Sequence, residues 1–382
     1  MVSDGMRLQV SDGLDMILLS PDEVLIQFGV RSGPSELIRD PESTGAIAHV
    51  VTRLAGGPTS RAELVSGLSG SCQQVARQVI ELLATKAYLA EEGTNPTEQY
   101  LRYSQSHTSS LSAHHVAVIG CGPIGSRVAV ALLESGVGMV TAVDDRMPDR
   151  HWRGTFPSAP QFGDGALSHR PVSEIFSSGL PADHSRRVRP VVGLFDSDVL
   201  RDATAEADFV VLALECPSLT LSHRLNRICV DRQLPWMSLT LDGNVGMAGP
   251  IFVPPTTACF NCFTALSQAP VANREMTQKY RRYQDSKKAS SFFVGLPSYA
   301  DILAGHGGHA AVRFLIGRSG PLVGRALLLD FDRLGMDLED VLRLPRCPAC
   351  GVLDAGHRSA FPAEVVAQIV AGSETLTAAK EP

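Results

Sequence analysis

The chain has 382 residues, 44% of them apolar and 19% charged, with a formal net charge of −6. That composition describes a soluble globular protein of two or three domains with a sizeable core, and it gives no electrostatic argument for nucleic acid. A basic head followed by a sustained apolar stretch is missing at the N-terminus, and no run of about 18 apolar residues offers a membrane span. Eight cysteines are scattered along the chain, which argues against a secreted disulfide scaffold. The expectation is a cytoplasmic protein with neither nucleic acid nor membrane as a partner.

Residues 1–92 read as a small α+β unit. Strand candidates are Arg7–Val10, Met16–Leu19 and Glu23–Phe28, the last bounded by Pro21-Asp22 and Gly29. Helical patterns follow at Thr44–Leu54, Ser60–Leu68 and Ser71–Thr85. Gly56-Gly57-Pro58 separates the first two, and Ser60 with Glu63 has the spacing of a capping box. Val75, Val79, Leu82 and Leu83 recur at helical spacing and mark a buried stripe. Three strands with three helices in this compass make a winged-helix-like unit. A polar, Ser/Thr-rich linker is expected over 93–112.

His115–Ile119 is a continuous apolar strand that runs into Gly120-Cys-Gly122-Pro-Ile-Gly125. A helix over Ser126–Glu134 and a strand over Val140–Val143 follow, and the strand finishes at Asp144, 19 positions past the last glycine. This is a βαβ unit with a dinucleotide-type turn: the glycines admit a phosphate at the helix N-terminus and Asp144 suits a ribose hydroxyl. Taken alone the turn is weak; it equally serves helix–strand packing in a sheet that binds nothing, or a nicotinamide or flavin oxidoreductase. Later apolar strands at Phe209–Leu214 and Trp236–Leu241 alternate with helices, as in a doubly wound sheet. Residues 269–291 are polar and locally basic, a crossover loop or an exposed helix.

Two C-x-x-C pairs, Cys259/Cys262 and Cys347/Cys350, are the strongest chemical signal. Two thiolates three positions apart chelate one ion from a tight turn, and two such turns complete a closed tetrahedral site. A structural Zn²⁺ is the expected occupant; buried free thiols or a disulfide are the plain alternatives. His306 and His309 in Gly-His-Gly-Gly-His sit at a predicted helix start, where helix packing outweighs a second metal site. His114 and His115 end the linker.

In order, Gly120–Gly125, Asp144, Ala207–Leu212, Gly249-Pro-Ile-Phe-Val-Pro-Pro-Thr-Thr-Ala-Cys259-Phe-Asn-Cys262 and Cys347-Pro-Ala-Cys350-Gly resemble the ThiF/MoeB/E1 superfamily, whose members adenylate a carboxylate with ATP. The resemblance covers 113–353 and leaves 354–382 as a C-terminal tail. It implies ATP and Mg²⁺ at Gly120, Gly122, Gly125, Asp144 and Glu215, and a homodimer. The departures are several: Arg146 stands at the family's second Asp, Trp152 at its Asn and Thr155 at its Arg. Arg150 or Arg153 could substitute only in a rebuilt loop, and Arg170 is the nearest stand-in for the phosphate-binding Lys. The metal-positioning Asp appears as Glu215-Cys216, with one methylene too many for an octahedral Mg²⁺ site. Losing several charges from a reaction that depends on positioned charge argues for a dead or reduced nucleotide site.

Residues 1–92 resemble the PqqD-like recognition element of ribosomal-peptide biosynthesis, through Met16–Gly29, Gly45–Gly57 and Val75–Ala90. In that family a leader peptide adds as a strand to the third strand and packs on the third helix. The expected edge is Val24, Leu25, Ile26, Gln27 and Phe28, with Gln73, Gln74, Arg77 and Gln78 as rim contacts. A DNA-binding or purely structural winged helix is the alternative, with few basic residues in its favour. Together the two resemblances imply a leader-binding subunit of azoline-forming synthetases, an ocin-ThiF-like protein that presents a precursor peptide to a YcaO-type cyclodehydratase. Two other readings remain: an ATP-dependent adenylating enzyme, and an NAD(P)-dependent oxidoreductase with a winged-helix module.

Overall fold

Turn residues cut the first forty residues into four short strands. In the computed structural model, which describes residues 6–31, 33, 35–105, 110–147, 170–194, 196–268, 273–286, 295–317 and 319–351, these are β1 (Arg7–Val10), β2 (Asp15–Ser20), β3 (Glu23–Gln27) and β4 (Ser35–Arg39). Then come α1 (Ala46–Ala55), β5 (Thr59–Ser60), α2 (Arg61–Leu64), α3 (Gly70–Thr85), β6 (Leu89–Glu91) and α4 (Pro96–Gln105). By contact the chain divides into two units. The first is Met1–His114 with Ala131–Met139 and Val312–Arg318; the second is His115–Val130, Val140–Ala311 and Ser319–Pro382.

In the first unit β2, β3 and β4 form an antiparallel sheet with β3 in the middle, and β5, β1 and β6 form another. Period-two alternation sends Val24 and Ile26 of β3 inward, where both are fully buried with Ile47, Val50, Leu64 and Leu83. Ser60 and Glu63 close a reciprocal capping box that starts α2. The stretch 93–112, expected as a linker, carries α4 instead. Asn95 accepts from the Thr97 N–H at 2.9 Å and Pro96 takes the first helical position. Gln99, buried, accepts the Asp12 N–H at 2.7 Å, and Tyr103 joins the apolar core of the small unit. Phe28, Tyr100 and Tyr103 form an aromatic triangle with centroids 5.6–5.7 Å apart. Burial pushes the Tyr103 phenol up to about 12.

The second unit is built on one sheet. Its elements are β7 (His115–Ile119), α5 (Pro123–Glu134), β8 (Met139–Val143), α6 (Val172–Gly179), α7 (Ala182–Ser185), β9 (Val188–Val191), α8 (Ser197–Ala203) and β10 (Phe209–Leu214). They continue with α9 (Leu219–Arg232), β11 (Trp236–Asp242), β12 (Val245–Phe252), α10 (Phe260–Gln268), α11 (Arg274–Ser286), α12 (Pro297–Gly317), β13 (Arg325–Asp330) and β14 (Gly335–Asp340). The strand order is β14-β13-β12-β11-β10-β7-β8-β9. β10 runs parallel to both β7 and β11, whereas β12, β13 and β14 add antiparallel. Unbroken apolar runs suit the inner strands, since every residue of β10 is buried. The order reverses between β7 and β10, the switch point at which open α/β sheets hold their ligands. None of the described helices is long and apolar enough to cross a membrane.

Replacing Tyr103 by Ala should destabilise the small unit by about 3 kcal/mol, the cost of emptying a buried aromatic site. Amide hydrogen exchange checks this: β1 and β3 should exchange faster while β10 and β11 keep wild-type protection.

Candidate functional site

Leu212 lies opposite Ile119 across the β7–β10 pair, so the residues after the two strands, Gly120 and Glu215, meet at the switch point. Gly120 has φ +90°, and a Cβ there would lie 2.1 Å from the Ala213 carbonyl oxygen. A Cβ at Gly125 would lie 1.8 Å from the Gly120 carbonyl oxygen, so this position needs glycine for α5 to pack on the turn. At Gly122 the space reserved in sequence for a phosphate is filled by protein, for a Cβ would meet Glu215 Oε1 at 2.3 Å. Glu215 Oε1 accepts from the Ile124 N–H of the first turn of α5 at 3.3 Å. The carboxylate thus takes the place beside a helix N-terminus that favours an anion.

Asp144 is likewise engaged. Its Oδ2 accepts the Cys121 N–H at 2.7 Å, and Arg146 grips it through Nε on Oδ1 at 2.9 Å and Nη2 on Oδ2 at 2.6 Å. Nη1 of the same guanidinium reaches Glu215 Oε2 at 3.0 Å. All three side chains are withdrawn from water, with exposures of 0% for Asp144, 2% for Glu215 and 10% for Arg146. Burial works against the Arg146 charge, but Asp144 and Glu215 outweigh it and hold the guanidinium protonated beyond its usual range. Cys121, inside the turn, has its thiol pushed well up by burial. Arg146 stands in the sequence as a departure from the family pattern. Its role as counter-ion to both acids appears only in three dimensions, although an opposite charge two residues after Asp144 was the available hint.

Trp152, Thr155, Arg150 and Arg153 lie outside the described residues. Arg170 is exposed and pairs with Glu174 on the neighbouring helical turn at 3.4 Å. His306 and His309 fall in the middle of α12, not at its start. Gly307 between them is a close-packing position, where a Cβ would meet Leu239 at 2.4 Å.

The four thiols of Cys259, Cys262, Cys347 and Cys350 come together. Sγ separations are 4.0 Å for 259–262, 3.6 Å for 259–347 and 3.5 Å for 262–350, and all four lie within 4.8 Å of one another. A disulfide needs about 2.05 Å, so no pair is bonded. Among the described residues this is the one cluster of Cys, His, Asp or Glu suited to a metal ion. The second turn is shaped for it: Gly351 donates to the Cys347 carbonyl at 2.8 Å, and a Cβ at Gly351 would lie 2.5 Å from that oxygen. The Leu344 N–H donates to Cys262 Sγ at 3.4 Å, and Arg343 ties the Cys350 and Pro255 carbonyls together. Protons are shared unevenly. A hydrogen bond from Cys259 holds the Cys347 thiol down at about 4, the same bond pushes Cys259 far up, and burial raises Cys262 to about 11. A cation entering the cluster would have to displace the protons held there.

The expected peptide edge needs correction. β3 is the central strand of its sheet, flanked by β2 and by β4, a strand not anticipated from the sequence. Val24 and Ile26 point into the core and are inaccessible, while Leu25, Gln27 and Phe28 remain partly exposed. Among the described residues the free edges belong to β2 and β4. On the outer face Ile17, Leu25 and Leu37 stand in one cross-strand row, with Ile17 44% and Leu37 39% exposed. α3 meets β4 at its C-terminal end, where Glu36 bonds Lys86 Nζ and accepts from Tyr88 Oη at 2.9 Å. Val75, Leu82 and Lys86 share that helix face. Gln74, Arg77 and Gln78 are exposed, but Arg77 and Gln78 line a hollow with Glu81 of the same helix and with Arg61 and Val65 of the α2 side.

Truncating Arg146 to Ala leaves two buried carboxylates without a counter-ion. The expected loss is about 3–5 kcal/mol, read as a lower urea midpoint for the second unit, whereas Arg170→Ala should change it by less than about 0.5 kcal/mol.

No family model matches the sequence, and no curated protein is similar to it at significant level. Solved structures are similar in fold. Escherichia coli MccB crystallised with MccA-N7isoASN superposes with a TM-score of 0.60 at 16% identity, covering 91% of this chain and 100% of that one. The microcin C7 biosynthetic enzyme MccB in complex with N-formylated MccA gives the same TM-score and identity. The heterocyclase TruD gives 0.58 at 17% identity, covering 91% of this chain and 43% of that one. At these identities the likeness establishes the mixed α/β fold that this chain has in common with MccB and TruD.

Proposed function

We propose that this chain is a leader-peptide-binding, E1-like scaffold of ribosomal-peptide biosynthesis that captures a precursor peptide and presents it to a YcaO-type cyclodehydratase in the cytoplasm. The observation that carries the reading is the Asp144–Arg146–Glu215 triad. It fills the crevice where an adenylating relative would hold ATP and Mg²⁺, and so favours a binding role over a catalytic one. Support for peptide recognition comes from MccB, which shares the fold and is known in complex with its MccA peptide.

The leader docks on the small unit, residues 1–92 together with the helix that follows, by adding a strand. Counted within its own sheet the third strand is β4, and the third helix is α3, so the docking edge is Ser35–Arg39, with Val75 and Leu82 on the face of α3 that carries Lys86. Backbone pairing supplies affinity there and alternate side chains meet Leu37 and Leu82. Holding the leader raises the effective concentration of the core peptide at the partner's active site without any chemistry on this chain. Zinc is the fitting metal for the cysteines. Tetrahedral Zn–S bonds of about 2.3 Å place sulfurs about 3.8 Å apart, close to the 3.5–4.0 Å seen here. With all four positions taken by sulfur the ion is structural, and a homodimer of the E1 type is the expected assembly.

Fluorescence anisotropy with a labelled leader from the neighbouring precursor gene should show binding that Leu82→Asp and Leu37→Asp each weaken at least about tenfold, with Arg77→Ala nearly neutral. Undiminished binding in both Asp variants would falsify the β4 edge. Calorimetric titration with ATP and Mg²⁺ should show no heat of binding; saturable binding would instead favour the adenylating enzyme. Metal analysis should find one zinc per chain, and Cys347→Ser should lose it together with several degrees of melting temperature. Competition with a chelating dye should show zinc affinity falling steeply as pH drops, because each bound thiolate must first shed its proton.

A further inference from the structure

The second unit contains a cavity of about 410 Å³ that neither the glycine turn nor the cysteines use. It lies on one face of the sheet. Thr240, Met247 and Leu328 line it from the strands, Leu219 and Phe263 from α9 and α10, and Tyr280 and Arg281 from α11. Its size falls within the range of small-ligand sites, and its lining is mostly apolar with hydroxyls interspersed. α11 is held over it by a defined contact. Asp285 accepts from Ser218 Oγ at 2.9 Å and from Thr220 Oγ1 at 3.2 Å, at the capped N-terminus of α9, where a carboxylate is favoured.

Two opposite charges line it without pairing. Arg281 is half-buried against the cavity and has no ionic partner among the described residues, while Lys279, on the same helix, pairs with Glu275. Asp242, the other charged lining residue, is exposed and makes no ion pair with Arg281. An apolar chamber whose guanidinium, set apart from the exposed Asp242, has no ionic partner among the described residues calls for an apolar body that ends in an anion, and the fork of Arg matches a carboxylate best.

We propose that this cavity binds a carboxylate carried on an aliphatic body, with Arg281 as the anion contact. The source is either an acidic residue flanked by aliphatic side chains in a peptide or a free medium-chain acid. The site is independent of the leader reading, and loss of binding at β4 would leave it standing.

Calorimetry on the full chain with octanoate, octanamide and acetyl-Leu-Glu-Leu-amide tests it. Octanoate or the peptide should bind, and octanamide should bind at least about tenfold more weakly, as expected for loss of one charged contact. Arg281→Gln should reduce the acid to the level of the amide, with an unchanged circular dichroism melt. Thr277→Trp, which places a ring at the cavity wall, should abolish both. Binding of the peptide alone assigns a peptide ligand, and binding of octanoate alone assigns a free acid. No binding by either up to about 10 mM, or equal affinity of acid and amide, or an unaltered Arg281→Gln variant, overturns the proposal.

Discussion

Arg146 sits where three parts of the chain, distant in sequence, have to converge: the turn after β7, the segment after β8 and the end of β10. Each brings a polar group that water cannot reach. The turn brings backbone N–H groups at Cys121 and Ile124, the other two bring the carboxylates of Asp144 and Glu215. Two acids this close would repel, and each alone would carry the full penalty of a buried charge. One bidentate guanidinium, shared between them, makes the arrangement tolerable and fixes its geometry. A nucleotide entering this crevice would have to displace Glu215 from Gly122 and separate Arg146 from both acids. The polar groups of the crevice are each other's partners.

The cysteine cluster has no part in that exchange. Its first pair follows β12 and its second follows β14, so it links the ends of the antiparallel extension of the sheet, not the switch point. Its fitness depends only on sulfur geometry and on how easily protons leave. The two sites answer to separate constraints, sulfur geometry in one and paired internal charges in the other.

Much of this was legible in the sequence, for reasons that differ by element. β7, β10 and β11 announce themselves as unbroken apolar runs because the centre of a parallel sheet has no wet face. The glycine turn and the cysteine pairs are readable because their spacing is their chemistry. β4 was not visible. Ser-Glu-Leu-Ile-Arg follows a glycine- and proline-bearing loop and owes its extended form to pairing with β3, a tertiary cause. That one missing strand moved the sheet edge away from Val24–Phe28. The helix α4 did leave a signal, Asn95 and Pro96 followed by Glu98, which the polar composition around it obscured. Arg146 illustrates the limit of spacing arguments: register placed it opposite a family acid, but only the fold shows that it answers Asp144 and Glu215 together.

The small unit handles charge in the opposite way. Glu36 on β4 is held by Lys86 and Tyr88, and the Lys86 hydrogen bond keeps its carboxyl below the ordinary range. That pin joins the end of α3 to the strand, yet it engages side chains only and leaves the outer side of β4 without a partner strand among the described residues. A free edge normally invites indiscriminate pairing, and proteins blunt it with charges or bulges. Here Leu37, on the edge strand itself, remains partly exposed. An edge kept open beside apolar side chains is costly to maintain unless a strand arrives to cover it. The polar groups of the glycine-turn crevice thus pair with one another, whereas β4 keeps one side without a partner strand among the described residues.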